Sequence, residues 1–330
     1  MKMKIVGILI GLMLITTVFA VAQTNKTVTK ETSTTISPST LYSVDVPVWE
    51  IGDKWTYKID NITITTNQTD IFLSMDQLPL TVTAVDETSY TLEFETSVNG
   101  HSQINADLGD GPVNVTITLP NLQVSGTITI DKSTLGIKAL SADLTGRFWI
   151  DIKNQPYIEF SLPVLPFKIT TNLISDFSLP ASMLSFPLNT TMIWNSTATN
   201  LTMNGEIRSP WFYFIKILNQ ITTAIGNPLL PPEIELLLPI VNIQEAFTTL
   251  GTGNVFGIPI IPGAFMCLNT ETIIVNDVTY DTYNITILNG MAECFYAPTA
   301  GSIVKLSGNL EEIIPLVKNI NMELVSTTYS

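Results

Sequence analysis

SPWFYFIKILNQITTAIGNPLLPPEIELLLPIVNIQEAFTTLG, residues 209–251, is the one long stretch that reads as helix in a chain that otherwise alternates like β-sheet. Ser209 suits a cap and Pro210 the first helical position. Trp211, Phe214, Ile215, Leu218, Ile221 and Ile225 then recur at i, i+3, i+4 and i+7, opposite a narrow polar stripe of Lys216, Asn219, Gln220 and Thr223. The apolar line continues through Leu236, Ile240, Ile243, Phe247 and Leu250, which predicts a second helix, kinked at Pro239 and ended by Gly251. A helical hairpin this apolar needs a concave apolar partner. The expected fold is therefore mainly β with an α+β character, a strongly curved antiparallel sheet wrapped around the hairpin.

The flanking sequence supplies such a sheet. In VPVWEIGDKWTYKIDNITITT, from residue 46, the turn Gly52-Asp53 separates Trp49 from Trp55, after which Tyr57, Ile59, Ile62 and Ile64 alternate with polar residues. Shorter alternating runs follow at 80–85, 90–98, 113–119, 122–130 and 135–152, each bounded by residues that turns require. Residues 162–186 carry prolines at 163, 166 and 180, with Pro187 just beyond, and are expected on a sheet edge or rim. FPLNTTMIWNSTATNLTMNGEI, from Phe186, echoes the opening segment from residue 46. Further strands are predicted at 265–268, 272–275, 279–288, 292–296, 303–306 and 320–326.

The first 22 residues have a basic start, an apolar run and the small-x-small site Ala20-Val21-Ala22, the pattern of a secretory signal peptide. Its removal takes away Lys2 and Lys4 and makes the chain still more acidic than the formal charge of −14 for the whole. An uncleaved segment would instead be the one expected attachment to a membrane. Residues 23–45 are Thr- and Ser-rich and are read as a linker, leaving 46–330 as a single domain. Eight Asn-x-Ser/Thr acceptors, at Asn25, Asn61, Asn67, Asn114, Asn189, Asn195, Asn200 and Asn284, fit an exported glycoprotein, although a chain rich in Asn and Thr also makes such triplets by chance.

The acidic balance argues against nucleic acid and anionic membrane surfaces as partners. His101 is the only histidine, placed by the sequence in a Gly-His-Ser-Gln turn, so multi-histidine metal chemistry is excluded and no Ser-His-Asp or Cys-His site is expected. Asn105, Asp107 and Asp110 lack the spacing of a calcium loop and are read as a turn. No catalytic residue, metal or cofactor is expected. Cys267 and Cys294 lie on predicted neighbouring strands of an exported chain and are expected to form a disulfide.

Two blocks carry a resemblance. The opening W-x-x-G-D-x-W-x-Y, at Trp49, Gly52, Asp53, Trp55 and Tyr57, and the later VTYDTYNI with FYAPTAGSIVKLSGN are similar to secreted half-barrel proteins of the lipoprotein-carrier type. These are the LolA, LolB and LppX-like superfamily and its archaeal secreted relatives. The resemblance implies a curved antiparallel sheet with helices in its concave face and, in the better-known members, a cavity for acyl chains. This chain departs from them in having no lipidated cysteine. The function expected is non-catalytic binding of a lipid or other apolar ligand at the cell exterior, with Trp211, Phe214, Ile215, Leu218, Leu236, Ile240 and Phe247 as the pocket. The alternative is a structural or adhesive cell-surface glycoprotein, with other cell-surface proteins as partners.

Overall fold

The computed structural model describes residues 43–66, 69–107, 112–154, 167–195, 199–208, 240–242, 258–260, 264–287, 290–310 and 317–329, with single positions between 210 and 224. They form one curved, open antiparallel sheet. Its strands are β1 (Lys54–Thr66), β2 (Thr69–Val85), β3 (Ser89–Asp107), β4 (Pro112–Asp131), β5 (Ile137–Asn154), β6 (Phe167–Ala181), β7 (Ile193–Asn195), β8 (Thr199–Arg208), β9 (Ile240–Asn242), β10 (Ile258–Ile260), β11 (Ala264–Val275), β12 (Val278–Ile287), β13 (Ala292–Ala297), β14 (Ser302–Gly308) and β15 (Val317–Thr327). In space they run β10-β8-β6-β5-β4-β3-β2-β1-β15-β14-β13-β12-β11-β7, with β9 also on β8.

Two antiparallel meanders are thus joined where the first long strand meets the last, through the β1–β15 ladder. Residues of alternating strand positions form one apolar face. Cys267, Ile285, Cys294, Leu306, Met322, Ile59 and Met75 are successive cross-strand partners, and all seven are buried. A period of two along each strand places every such row on the same side, which is why alternation alone builds a continuous core.

Strands as long as the 20 residues of β4 cannot stay flat and still enclose a core. The ladders break register at neighbouring positions: between Ile59 and Ile62 on β1, Ser74 and Thr81 on β2, Val98 and Gly100 on β3, and Thr118 and Gln123 on β4. Bulges bend a strand and increase its twist, so a line of them forms a crease across the sheet. Asn121 lies in that crease with φ 53°. Gly100 is there too, because a Cβ on it would come within 2.7 Å of Leu73 Cδ2.

The chain itself draws the two sheet ends together. β7 ends the order on one side and β8 lies next to the other end, yet Asn195 and Thr199 are only four peptide steps apart. That limits their separation to about 14 Å. Between β6 and β7, residues 182–192 cross from one half to the other. Ser182 Oγ donates to Thr134 O at 2.7 Å, Phe186 meets the Tyr296 ring edge-on, and the Thr191 N–H donates to Cys267 O at 2.7 Å. Val44 and Leu188 exchange backbone hydrogen bonds, so Val44, inside the expected linker, pairs with the start of the echo segment.

Several expectations are corrected. The helical hairpin is not seen among the described residues. Pro210, Tyr213, Lys216, Ile217, Gln220, Thr223 and Ala224 have helical backbone, but Trp211, Phe214, Ile215, Leu218, Leu236 and Phe247 lie outside the described residues. Ile240, assigned above to the second helix, is in strand β9 opposite Arg208. The apolar spacing there is shared by a short strand, and pairing with β8 decides between them.

β6 is not an edge strand, since β5 and β8 flank it. Pro180 costs little because it falls in the register gap between the Ala139–Asp176 and Ile137–Ala181 pairs. His101 lies within β3 instead of in a turn.

No disulfide joins the cysteines. Cys267 and Cys294 are both partners of Ile285, one on each side of β12, and both thiols are free and buried. Two interstrand spacings put their Cα atoms about 10 Å apart, beyond the roughly 7 Å a disulfide spans. Burial pushes the Cys267 thiol up to about 11 and raises that of Cys294 further. Neither thiol should react in the native protein, whereas both should alkylate in denaturant without reductant, which intact mass would read as two adducts.

The connecting turns are held by carboxylates. Asp86 accepts from Ser89 Oγ at 2.6 Å and from the Thr88 and Ser89 N–H groups at 2.7 Å, which hold its acidity at about 2. A depressed carboxyl stabilises the fold above its unfolded value, about 3.9, and the contribution is lost as pH falls through about 2. Asp86→Asn should therefore melt below wild type at neutral pH, with the gap closing near pH 2 in a thermal melt series.

Candidate functional site

The two motifs behind the resemblance meet in space. Trp55 Nε1 donates to Ala300 O at 2.7 Å, Trp49 Nε1 donates to Gly301 O at 3.0 Å, and the Tyr57 and Ser302 hydroxyls share a hydrogen bond at 2.8 Å. Three successive residues of the later motif are thus read by three aromatic side chains of the opening one. A short 3-10 turn, Pro298–Ala300, presents these atoms, and Gly301 leaves it in the left-handed region at φ 59°. A Cβ on Gly301 would lie 2.6 Å from the Tyr329 ring, so only glycine fits. Trp49 packs on Trp55 at 4.7 Å and on Tyr90 at 5.0 Å, which fixes the cluster on β1 and β3.

Beside this cluster the concave face leaves a cavity of about 130 Å³. Trp55, Tyr57, Leu92, Ile130, Ile137 and Met322 form its walls, with Ala181 at the end of β6 and Met183 and Leu184 of the crossing segment beside them. Its lining is apolar apart from the Tyr57 and Ser302 hydroxyls. Burial pushes the Tyr57 phenol up, outweighing the opposing effect of the Ser302 hydrogen bond, so the group stays neutral and can donate or accept only as a hydroxyl. Such a site can hold a small apolar body and recognise one polar atom on it. Among the described residues no histidine or carboxylate lines it.

The sequence-based pocket lies almost wholly outside the described residues. Of its residues only Ile240 is among those described, on β9, and the strands that line the cavity are β1 to β6 together with β14 and β15. Alternation did mark Trp55 and Tyr57 as one face, but which residues of that face leave space depends on where residues 182–188 cross. That crossing has no periodic signal.

The glycosylation acceptors are placed unequally. Asn61 and Asn195 are exposed on β1 and β7. Asn189 is half-buried, donating from Nδ2 to Pro187 O at 3.3 Å. Asn284 is buried, and its Nδ2 donates to Glu271 Oε1 at 2.5 Å, a bond that a glycan would displace. Asn114 and Asn200 lie on β4 and β8, while Asn25 and Asn67 are outside the described residues. Among the described residues no three His, Cys, Asp or Glu side chains gather as metal ligands, and no helix is long and apolar enough to cross a membrane.

Tyr57→Phe leaves the Ser302 hydroxyl without its partner and should cost about 1 kcal/mol, read as a lower denaturation midpoint with an unchanged slope. Gly301→Ala should cost more, because the left-handed backbone is strained and the Tyr329 ring must move. Comparison with protein-family models, curated proteins and solved structures finds no match, so the geometry of the cavity is the ground for a functional reading.

Proposed function

We propose that this is an exported, non-catalytic binding protein that holds a hydrophobic ligand against the concave face of its sheet. The observation that carries the reading is the apolar cavity with a single polar pair, Tyr57 and Ser302, in its wall. Ligand pockets are typically apolar with a few placed polar groups that set orientation. The signal-peptide pattern, the acceptor triplets and the resemblance to lipoprotein-carrier half-barrels support the same compartment and ligand class.

The size of the cavity narrows the ligand. About 130 Å³ matches a single small ring, whereas drug-sized ligands occupy roughly 300–1,000 Å³. An acyl or isoprenoid chain enters only if the crossing residues 182–188 move aside. Those residues are held by few bonds, chiefly Ser182 to Thr134 and Val44 to Leu188.

The same small volume favours a second reading, a structural or adhesive surface glycoprotein in which the cavity is a packing defect. One variant separates the two. Ala181 lines the cavity and is 5% exposed, so Ala181→Leu fills the space. For a binding protein, wild type displaces or binds a fluorescent fatty-acid or isoprenoid probe, its organic extract contains stoichiometric ligand by mass spectrometry, and Ala181→Leu weakens binding at least tenfold. For a structural protein, neither extract nor probe shows ligand, and Ala181→Leu melts at or above the wild-type temperature.

A further inference from the structure

The crease that bends the sheet opens a second space, on the face away from the core. It is a groove of about 570 Å³, bordered by Asp60, Asn61, Phe72, Asn99, His101 and Thr118. Phe72 and His101 are cross-strand partners on β2 and β3, and their rings stack at 4.8 Å with 17° between planes. The same row continues through Thr118 on β4 to Trp149 on β5. Trp149 is partly exposed and lies two strands from His101, about 10 Å away.

We infer that this groove binds a neutral pyranose sugar. A pyranose presents an apolar C–H face and a rim of hydroxyls, and it needs an aromatic surface flanked by groups that both donate and accept. The groove has that combination. The Phe72–His101 pair supplies the surface, while Asn61, Asn99 and Thr118 supply amides and a hydroxyl at its border. Asn99 Oδ1 accepts from the Asn121 N–H at 3.0 Å and Asn61 Oδ1 accepts from Thr63 Oγ1 at 3.2 Å, which orients both amide nitrogens as donors. The charge of Asp60 is already matched by Lys58 at 2.6 Å, so the groove favours neither an anion nor a cation. Trp149, about two sugar lengths along the row, extends the surface to an oligosaccharide. The inference is independent of the concave cavity, which lies on the opposite face.

Two sources offer this chemistry: an external glycan, or a glycan carried by Asn61 at the groove's own rim. The test uses the full chain made without glycosylation, applied to an array of neutral hexose and N-acetylhexosamine oligosaccharides, with positive binders titrated by calorimetry. Binding is expected, and it should weaken about tenfold in His101→Ala. His101 is exposed, so that variant keeps the wild-type melting temperature. Protein from a glycosylating host separates the sources. An external ligand binds it unchanged, whereas an intramolecular glycan blocks the groove until Asn61→Gln removes it. Absence of binding across the array, or binding equal in wild type and His101→Ala, overturns the inference.

Discussion

The docking of Trp49, Trp55 and Tyr57 onto residues 300–302 is the contact on which the rest of the molecule depends. It joins the first strand to the start of β14 across more than two hundred residues of sequence. Two indole N–H groups and a phenol are buried there, and each has a partner, so the cluster stabilises the core without leaving an unpaired polar group. The β1–β15 ladder runs alongside it, and β1 is thereby held from both sides. Without this junction the two meanders would be separate curved sheets with exposed inner faces.

Curvature follows from a different cause. Long antiparallel strands favour a twisted but open ribbon, and here a line of bulges from β1 to β5 turns that ribbon inward. The inner side of the bend packs Leu73, Val98, Leu119 and Leu122, which are all buried. Its outer side leaves the groove beside the stacked Phe72 and His101. One backbone device therefore shapes both faces, closing the core on one side and opening a groove on the other.

Much of the sheet was legible from residue order. Strands at 90–98, 135–152, 279–288 and 292–296 were marked by alternation between turn residues, and β3, β5, β12 and β13 occupy these places. Alternation also marked Trp55, Tyr57 and Ile59 as one face. The pairing of Cys267 with Cys294 was misread because neighbouring position in a meander was taken as contact, whereas β12 intervenes. His101 was assigned to a turn on the strength of Gly100, although glycine at that place serves a bulge inside a strand.

What the sequence determined by itself is local: the period-two pattern that makes an antiparallel sheet, and the turn residues that bound its strands. These depend on residues within a few positions of one another, so order alone expresses them. The tertiary structure decided which strands are adjacent, how far apart the two cysteines lie, and where residues 182–192 cross to leave the cavity. It also decided that Phe72, His101 and Trp149 share one outer row. Those facts are set by register between segments tens to hundreds of residues apart, and register is chosen by the packing of the whole core, which no single stretch encodes.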